Sequence, residues 1–327
     1  MANDDILRIA EDIRTMRIRG AAEIGRAAAS GLKTYALNSR ASDAPSFIEG
    51  FNEAYRTLLN TRPTAVSLAN ALNYIRHRVF RAYKEGATPD LLRQAAIDAS
   101  DAFLKSSLQA VKRISEFGAK RIRNGDLIMT HCNSSVVIST LVEAKRQGKD
   151  FSVIATETRP RFQGRITART LAEEDIPVTL IVDSAARYFM PKVDKVVVGS
   201  DVVTSNGAVV NKIGTSQIAL AAKEARVRVY VCAETYKFSP STMLGELVEI
   251  EERPATEVLP DEEIASLGRV KIANPAFDIT PAEMIDAIIT ERGVIPPQAA
   301  ILILMEEFGY RIGEEHLGRV FVEEEEQ

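Results

Sequence analysis

The chain has few of the residues that build disulfide frameworks or metal sites. Its 327 residues include only two cysteines, Cys132 and Cys232, and three histidines, His77, His131 and His316. Two cysteines cannot form a disulfide framework, so the sequence favours a reducing compartment. The histidines and cysteines show neither HxxxH nor CxxC spacing, so we expect no metal site.

Glycine-rich phosphate loops and long apolar runs are also missing. Neither GxGxxG nor GxxxxGK[ST] occurs, which argues against the usual dinucleotide and nucleoside-triphosphate sites. The opening MANDDILRIAEDIRTMRIRG interrupts its apolar residues with charge, unlike a signal peptide, and no later stretch approaches membrane-spanning length. The 41 basic and 45 acidic residues create no global field for nucleic acid or an acidic membrane surface. We expect a soluble, cytoplasmic protein with neither partner.

The sequence pattern changes near residue 124. Before it, Ile6, Ile9 and Ile13 recur at helix spacing, and further amphipathic segments predict more helices. These segments cover roughly 44–60, 65–84, 89–105 and 107–122. After it, short β-rich runs alternate with helical ones, which is typical of a parallel sheet with crossover helices. We therefore predict an α/β chain, with an all-helical N-terminal domain over 1–123 and a parallel-sheet domain over 124–327.

Five strands are predicted in the second domain. They are DLIMTHC, FSVIATE, PVTLIVD, KVVVGSD and VRVYVCAE. Helices are predicted between and after them, near 134–147, 167–174, 184–189, 215–225, 281–289 and 297–307. Asn206-Gly207 within VVTSNGAVV predicts a hairpin, and the terminal EEEE run indicates a solvated tail.

Ligands bind at the carboxyl ends of the strands in such sheets, which draws attention to the residues that follow each strand. These are Cys132, then Glu157 to Arg159, Asp183 with Ser184, Asp201, and Glu234 to Lys237. Loop ends of this kind are polar in any α/β protein, so the pattern needs support from individual residues.

Cys132 is either a small core residue or a reactive thiol. Asn133, Ser134 and Ser135 follow it and open an amphipathic helix. A thiol there would lie close to free backbone N–H groups and the positive end of the helix dipole, which lower a thiol pKa and bind anions. Cys232, in the middle of VYVCA, is predicted to be a core residue.

The other polar candidates each have two interpretations. Asp201 either caps a turn or serves as a general acid, and the residues alone do not separate these roles. Lys212 precedes an apolar helix, whose free N–H groups could share an anion with it. Arg19 and Gly20 are equally explained as the end of the first helix, Arg62 as part of a loop, and Lys237 as a surface cation. Arg159 and Arg161 are predicted to be solvated. The residues alone indicate an anionic small-molecule site with a thiol/carboxyl pair.

A series of collinear motifs resembles one known family. The motifs are IRGAAEIG, TRPTAVSL, MTHCNSS, TETRP, VGSD, SNGAVVNKIGT, AETYKF, NPAFDITP and ITERGVIPP, over about residues 18–300. The family unites methylthioribose-1-phosphate isomerase, ribose-1,5-bisphosphate isomerase and the alpha, beta and delta subunits of initiation factor 2B. The resemblance implies a helical domain on a Rossmann-like catalytic domain, assembly into dimers or trimers of dimers, and Cys132 and Asp201 as the catalytic pair.

Two motifs narrow the resemblance to the archaeal bisphosphate isomerases. AETYKF and ETRPRFQGR are similar to theirs, whereas Ala22 stands where the methylthioribose enzymes usually have proline. The resemblance implies conversion of ribose 1,5-bisphosphate to ribulose 1,5-bisphosphate in nucleoside monophosphate salvage, without metal or organic cofactor. The implied substrate-binding residues are Arg19, Gly20, Ala21, Ala22, Arg62, Ser134, Ser135, Val136, Asn211, Lys212 and Lys237. A methylthioribose-1-phosphate isomerase and a non-catalytic regulatory subunit are the alternatives.

Overall fold

A computed structural model describes residues 2–308. The chain begins with five helices, α1 (Ala2–Arg14), α2 (Ala21–Asn38), α3 (Ala44–Leu59), α4 (Val66–Lys84) and α5 (Pro89–Ala119). The helical pattern predicted for this part is therefore confirmed, although α2 was not singled out. The terminal EEEE run and His316 lie outside the described residues. The domain boundary at residue 123 stays a prediction.

Helix α5 corrects the prediction of two helices over 89–105 and 107–122. The two predicted segments meet at Ser106 and Ser107, whose side chains are satisfied within a continuous helix. Ser106 Oγ donates to the carbonyl of Phe103 at 2.9 Å, and Ser107 Oγ accepts from the Arg26 guanidinium at 3.1 Å. A hydroxyl that bonds back to a carbonyl of the preceding turn is compatible with a helix, and the Ser107 hydroxyl finds its partner in α2, so the helix continues.

The second part of the chain is built on a seven-stranded sheet. Its strands are β1 (Leu127–Thr130), β2 (Ser152–Thr156), β3 (Val178–Ile181), β4 (Lys195–Val198), β7 (Arg228–Cys232), β9 (Ala287–Thr290) and β10 (Gly293–Ile295). The order across the sheet is β3-β2-β1-β4-β7-β9-β10, and every pair is parallel except β9 with β10. The strand order therefore reverses between β1 and β4, which is where doubly wound sheets open a crevice for ligands.

Helices cover both faces of this sheet. They are α6 (Ser135–Arg146), α7 (Gln163–Glu173), α8 (Ala186–Phe189), α9 (Thr215–Ala225) and α11 (Ala300–Phe308). A short helix, α10 (Asp261–Ser266), lies in the long connection after β7. Successive side chains of β1 point to opposite faces of the sheet and so belong to two different hydrophobic cores. Ile128 packs with α5 and α6 on one face, and Met129 packs with α9 and α11 on the other. Within residues 2–308, every helix is too short or too polar to cross a membrane.

The segments on either side of β7 in the chain contain one correct and one wrong prediction. The hairpin at Asn206-Gly207 is confirmed as β5 (Val202–Val203) and β6 (Val209–Lys212), which form a second sheet with β8 (Phe277–Thr280). The helix predicted near 281–289 is wrong, because its apolar residues form β9. Ile288 and Ile289 pair with β7 and fill both faces of the sheet, so strand pairing overrides their helix-like spacing.

Candidate active site

A cavity of about 210 Å³ lies at the carboxyl ends of β1 and β4, where the strand order reverses. Cys132 follows β1 and Asp201 follows β4, and both line this cavity. Residues from the beginnings of α2 and α4 and from the loops before them, including Arg19 and Arg62, close it from the other side. The site is therefore assembled from sequence-distant parts of both the helical and the sheet regions.

The backbone at Cys132 adopts a strained conformation that neighbouring hydroxyl groups hold in place. Its φ is 67°, in the left-handed region that residues with a Cβ seldom occupy. The Cys132 N–H donates to Thr158 Oγ1 at 2.9 Å, and its carbonyl accepts from Thr167 Oγ1 at 2.8 Å. Thr158 is fixed in turn, because its N–H donates to the Asp183 carboxylate at 2.7 Å. The loops after β1, β2 and β3 thus brace one another around the thiol.

The thiol does not have the lowered pKa that its position before α6 suggested. Burial raises the pKa of Cys132 to about 11, and the nearby Lys212 ammonium offsets only part of this effect. Desolvation therefore outweighs the helix dipole and the neighbouring cation. The predominant form of Cys132 at neutral pH is the thiol, and the thiolate has to be generated during a reaction.

The alkylation rate of Cys132 should report this raised pKa. Because only the thiolate attacks iodoacetamide, we expect the rate to rise about tenfold per pH unit from pH 7 to pH 10, without a plateau. Mass spectrometry after timed labelling measures the rate at each residue. Cys232, which is fully buried in β7, is the internal control and should stay unlabelled. A plateau below pH 9 would contradict a raised thiol pKa.

The Asp201 carboxyl group is influenced by four of the cationic side chains that line the cavity. Burial raises the pKa of Asp201, while Lys237, Lys212, Arg62 and Arg253 each oppose the shift. A carboxyl group whose pKa is raised holds its proton to higher pH, which suits a general acid. The backbone N–H of Asp201 donates to the carbonyl oxygen of Val210 at 3.0 Å, so the β5–β6 hairpin fixes the position of Asp201.

His131 connects the end of β1 to the turn before α9. Its Nε2 lies 2.8 Å from the carbonyl of Ile213, and its Nδ1 lies 2.6 Å from Thr156 Oγ1. A carbonyl only accepts, so Nε2 carries the proton and Nδ1 accepts from the threonine hydroxyl. Burial lowers the pKa of His131, which favours this neutral form. The imidazole thus ties the loop that carries Cys132 to the one that carries Lys212.

Three helix N-termini open into the cavity. The first residues of α2, α4 and α6 all line it, and none of these helices has a side-chain cap among residues 2–308. Their unpaired N–H groups and dipoles favour anions. The start of α9 is different, because Asp278 accepts from the N–H groups of Gly214 at 2.7 Å and Ser216 at 3.1 Å. The expectation of free N–H groups beside Lys212 is therefore wrong.

The two lysines of the cavity are buried and held by specific contacts. Lys237 forms an ion pair with Glu234 at 2.6 Å, and both side chains are almost completely buried. Lys212 donates to the carbonyl of Ala276 at 2.8 Å and lies over the ring of Phe277. Lys237 is therefore not the surface cation that its position in TYKF allowed.

The cavity gathers most of the residues singled out from the sequence. Twelve of the thirteen line it: Arg19, Gly20, Ala21, Ala22, Arg62, Cys132, Ser134, Ser135, Asp201, Asn211, Lys212 and Lys237. Val136 does not, because its side chain is buried in the core beneath α6. Arg161, expected to be solvated, lines the cavity and pairs with Glu257 at 3.0 Å. Arg253 was not singled out, since nothing in EIEERP distinguishes it from a surface residue.

This fold and site define the class of protein. The chain belongs to the initiation factor 2 subunit family, whose model matches residues 17–297. The resemblance inferred from the collinear motifs is thereby confirmed.

Individual relatives are similar over most of the chain. It is 55% identical over 307 residues to ribose 1,5-bisphosphate isomerase from Pyrococcus furiosus, covering 94% of this chain and 95% of the relative. It is 54% identical over 309 residues to the enzyme of that name from Thermococcus kodakarensis, covering 94% and 96%. The solved structure of 5-methylthioribose 1-phosphate isomerase from Pyrococcus horikoshii OT3 matches with a TM-score of 0.77 and 32% identity, covering 92% and 87%.

Proposed function

We propose that this protein is an aldose–ketose isomerase that converts α-D-ribose 1,5-bisphosphate to D-ribulose 1,5-bisphosphate. The observation that carries the proposal is the placement of Cys132 and Asp201 in one cavity with six cationic side chains. The relatives that are 54–55% identical support the choice of substrate.

The thiol and the carboxyl group divide the proton transfers between them. Cys132 first loses its thiol proton to solvent. Its thiolate then removes the proton from carbon 2, and the C–H electrons form a double bond between carbons 1 and 2. The bond from carbon 1 to the ring oxygen breaks, and Asp201 donates a proton to that oxygen. Cys132 then returns a proton to carbon 1, while Asp201 takes the proton from the hydroxyl group on carbon 2. The product is the ketose, Asp201 is again protonated, and Cys132 is again a thiolate.

The charge of the cavity suits a substrate with two phosphate groups. The cationic side chains that line it are Arg19, Arg62, Arg161, Lys212, Lys237 and Arg253, against the three carboxyl groups of Glu23, Asp201 and Glu249. Two guanidinium groups come from the helical part and the other four cations from the sheet part. Together with three open helix N-termini, these cations supply enough charged donors for two phosphates on opposite sides of a pentose.

The proposed activity can be tested with two substrates in parallel. The purified protein is incubated with ribose 1,5-bisphosphate and, separately, with methylthioribose 1-phosphate, and ketose formation is followed. We expect turnover of the bisphosphate. Turnover of methylthioribose 1-phosphate alone would reassign the substrate, and no turnover of either would favour a regulatory subunit.

The proposal extends to the setting of the reaction. We propose a cytoplasmic homo-oligomer, a dimer or a trimer of dimers, that acts in nucleoside monophosphate salvage and supplies a carboxylase that consumes ribulose 1,5-bisphosphate. The family resemblance supports this setting. The reaction moves only protons, so the proposal includes no metal or organic cofactor.

A further inference from the structure

Two arginines from distant parts of the chain meet at one carboxylate beside the cavity. Arg62 lies just before α4, and Arg253 lies in the long connection between β7 and β8. Glu251 forms an ion pair with Arg62 and accepts from Nε of Arg253 at 3.1 Å. The exposed fractions of the arginine side chains are only 12% and 9%. A shared counter-ion thus holds two buried guanidinium groups close together.

Both arginines line the cavity and retain donors that no protein group uses among residues 2–308. The two terminal nitrogens of Arg253 have no hydrogen-bond partner among residues 2–308, and neither do Nε and Nη1 of Arg62. None of these four nitrogens is among the buried unpaired atoms of the described chain, so each keeps some surface accessible to solvent, and both arginines line the cavity. Two adjacent guanidinium groups with free donors match the oxygens of a phosphate dianion.

Arg253 is also close to the reacting groups. Its charge opposes the raised pKa of Asp201, and as a like charge it contributes to the lowered pKa of Lys212. The ring of Phe277 lies beside both cations, 4.7 Å from Lys212 Nζ and 6.0 Å from the Arg253 guanidinium carbon. Arg253 therefore extends the row of cations that begins at Lys212.

We propose that Arg253 is a further substrate-binding residue, which joins Arg62 in binding one phosphate of the sugar bisphosphate. Glu251 acts as the positioning residue: burial favours its protonated form, but the two arginines more than offset this and hold its pKa below the usual range. The carboxylate therefore stays charged and keeps the guanidinium groups aligned. This inference rests on the proposed function and adds a phosphate contact to it.

Binding can be measured without turnover in a Cys132→Ser background. We expect calorimetry to show binding of ribose 1,5-bisphosphate, and Arg253→Met to weaken it at least about 30-fold, since a buried charged contact is lost. Arg253→Lys keeps the charge but loses the planar fork, so we expect about tenfold weaker binding. Arg159→Met is the matched control, because Arg159 donates to the carbonyl of Val258 in the same connection but does not line the cavity. Its affinity should stay within about twofold of the background.

The outcomes separate this inference from the proposed function. If the Cys132→Ser protein binds the bisphosphate but Arg253→Met and Arg253→Lys bind it equally well, Arg253 is not a substrate-binding residue and the proposed function is unaffected. If Arg253→Met does not fold, Arg253→Lys decides by the same criterion. If the Cys132→Ser protein does not bind the bisphosphate, the proposed function itself fails, and the inference with it.

Single-phosphate ligands show whether the contact is local. Ribose 1-phosphate and ribose 5-phosphate each lack one of the two phosphates. A residue that contacts one phosphate should weaken the binding of only one of these ligands when it is replaced. Equal losses for both in Arg253→Met would mean that Arg253 acts through the general field or the structure of the cavity, and would overturn the proposal.

Discussion

Replacing Cys132 by serine or alanine is expected to lower kcat at least about 10³-fold, because proton transfer by a positioned group contributes about 10²- to 10⁴-fold. A serine hydroxyl is far harder to ionise than a thiol, and alanine has no ionisable group. The cavity and its cationic side chains remain, so the affinity for the substrate should change little. Steady-state kinetics and calorimetry with ribose 1,5-bisphosphate measure the two effects separately.

Asp201→Asn should reduce kcat to a similar extent. The amide has nearly the same shape as the carboxyl group but cannot donate its proton to the ring oxygen during ring opening. Cys232→Ala is the matched control for the cysteine variants, because Cys232 is fully buried in β7 and does not line the cavity. It should retain native kcat. Native turnover by Cys132→Ser or Asp201→Asn would refute the mechanism.

Gly164→Ala is expected to destabilise the fold severely. Gly164 is the second residue of α7, where a Cβ atom would lie 1.7 Å from the backbone carbonyl oxygen of Thr156 at the end of β2. No side-chain rotation relieves a clash between a Cβ and the backbone, so α7 or β2 must move. We expect a loss of about 3 kcal/mol or more in the free energy of unfolding, and a Tm lower by about 6–12 °C.

The same substitution should also impair the site. The added Cβ would lie 3.0 Å from Thr158 Oγ1, the oxygen that accepts from the Cys132 N–H. Displacement of Thr158 would therefore disturb the thiol. Gly86→Ala is the control, since Gly86 has a φ of 82° with open space around it and should cost only about 1 kcal/mol. Equal melting temperatures for the two variants in a thermal scan would show that the close approach at Gly164 is readily relieved.

The sequence was sufficient to predict the fold where local patterns and tertiary packing agree. The helical first part, the five predicted strands and the hairpin at Asn206-Gly207 all follow from periodicity and turn chemistry. Periodicity failed at β9, where the decision depends on pairing with β7, which lies more than 50 residues earlier. It also failed near Ser107, whose hydroxyl accepts from Arg26 of α2, a partner that local sequence does not reveal.

The site could be predicted only in part, for a related reason. Strand ends indicated Cys132 and Asp201, but the reversal of strand order that makes β1 and β4 neighbours is a property of the whole sheet. The thiol pKa was expected to fall because the dipole of α6 is visible in the sequence, whereas the desolvation that raises it is not. Arg253 lies in a connection without regular periodicity, and only its contact with Glu251 shows that it faces inward.

Helix α5 couples the unfolding of the helical part to that of the sheet part. Its first half, including Leu92 and Phe103, packs into the core of the helical part, while Ile114 and Ala119 pack into the core beneath the sheet. One rigid element of 31 residues, about 46 Å long at 1.5 Å per residue, is therefore common to both hydrophobic cores. Fraying of either core removes support from the other through this shared helix. The two parts that line the cavity are consequently joined by one rigid helix, which fixes the position of Arg19 and Arg62 relative to Cys132 and Asp201.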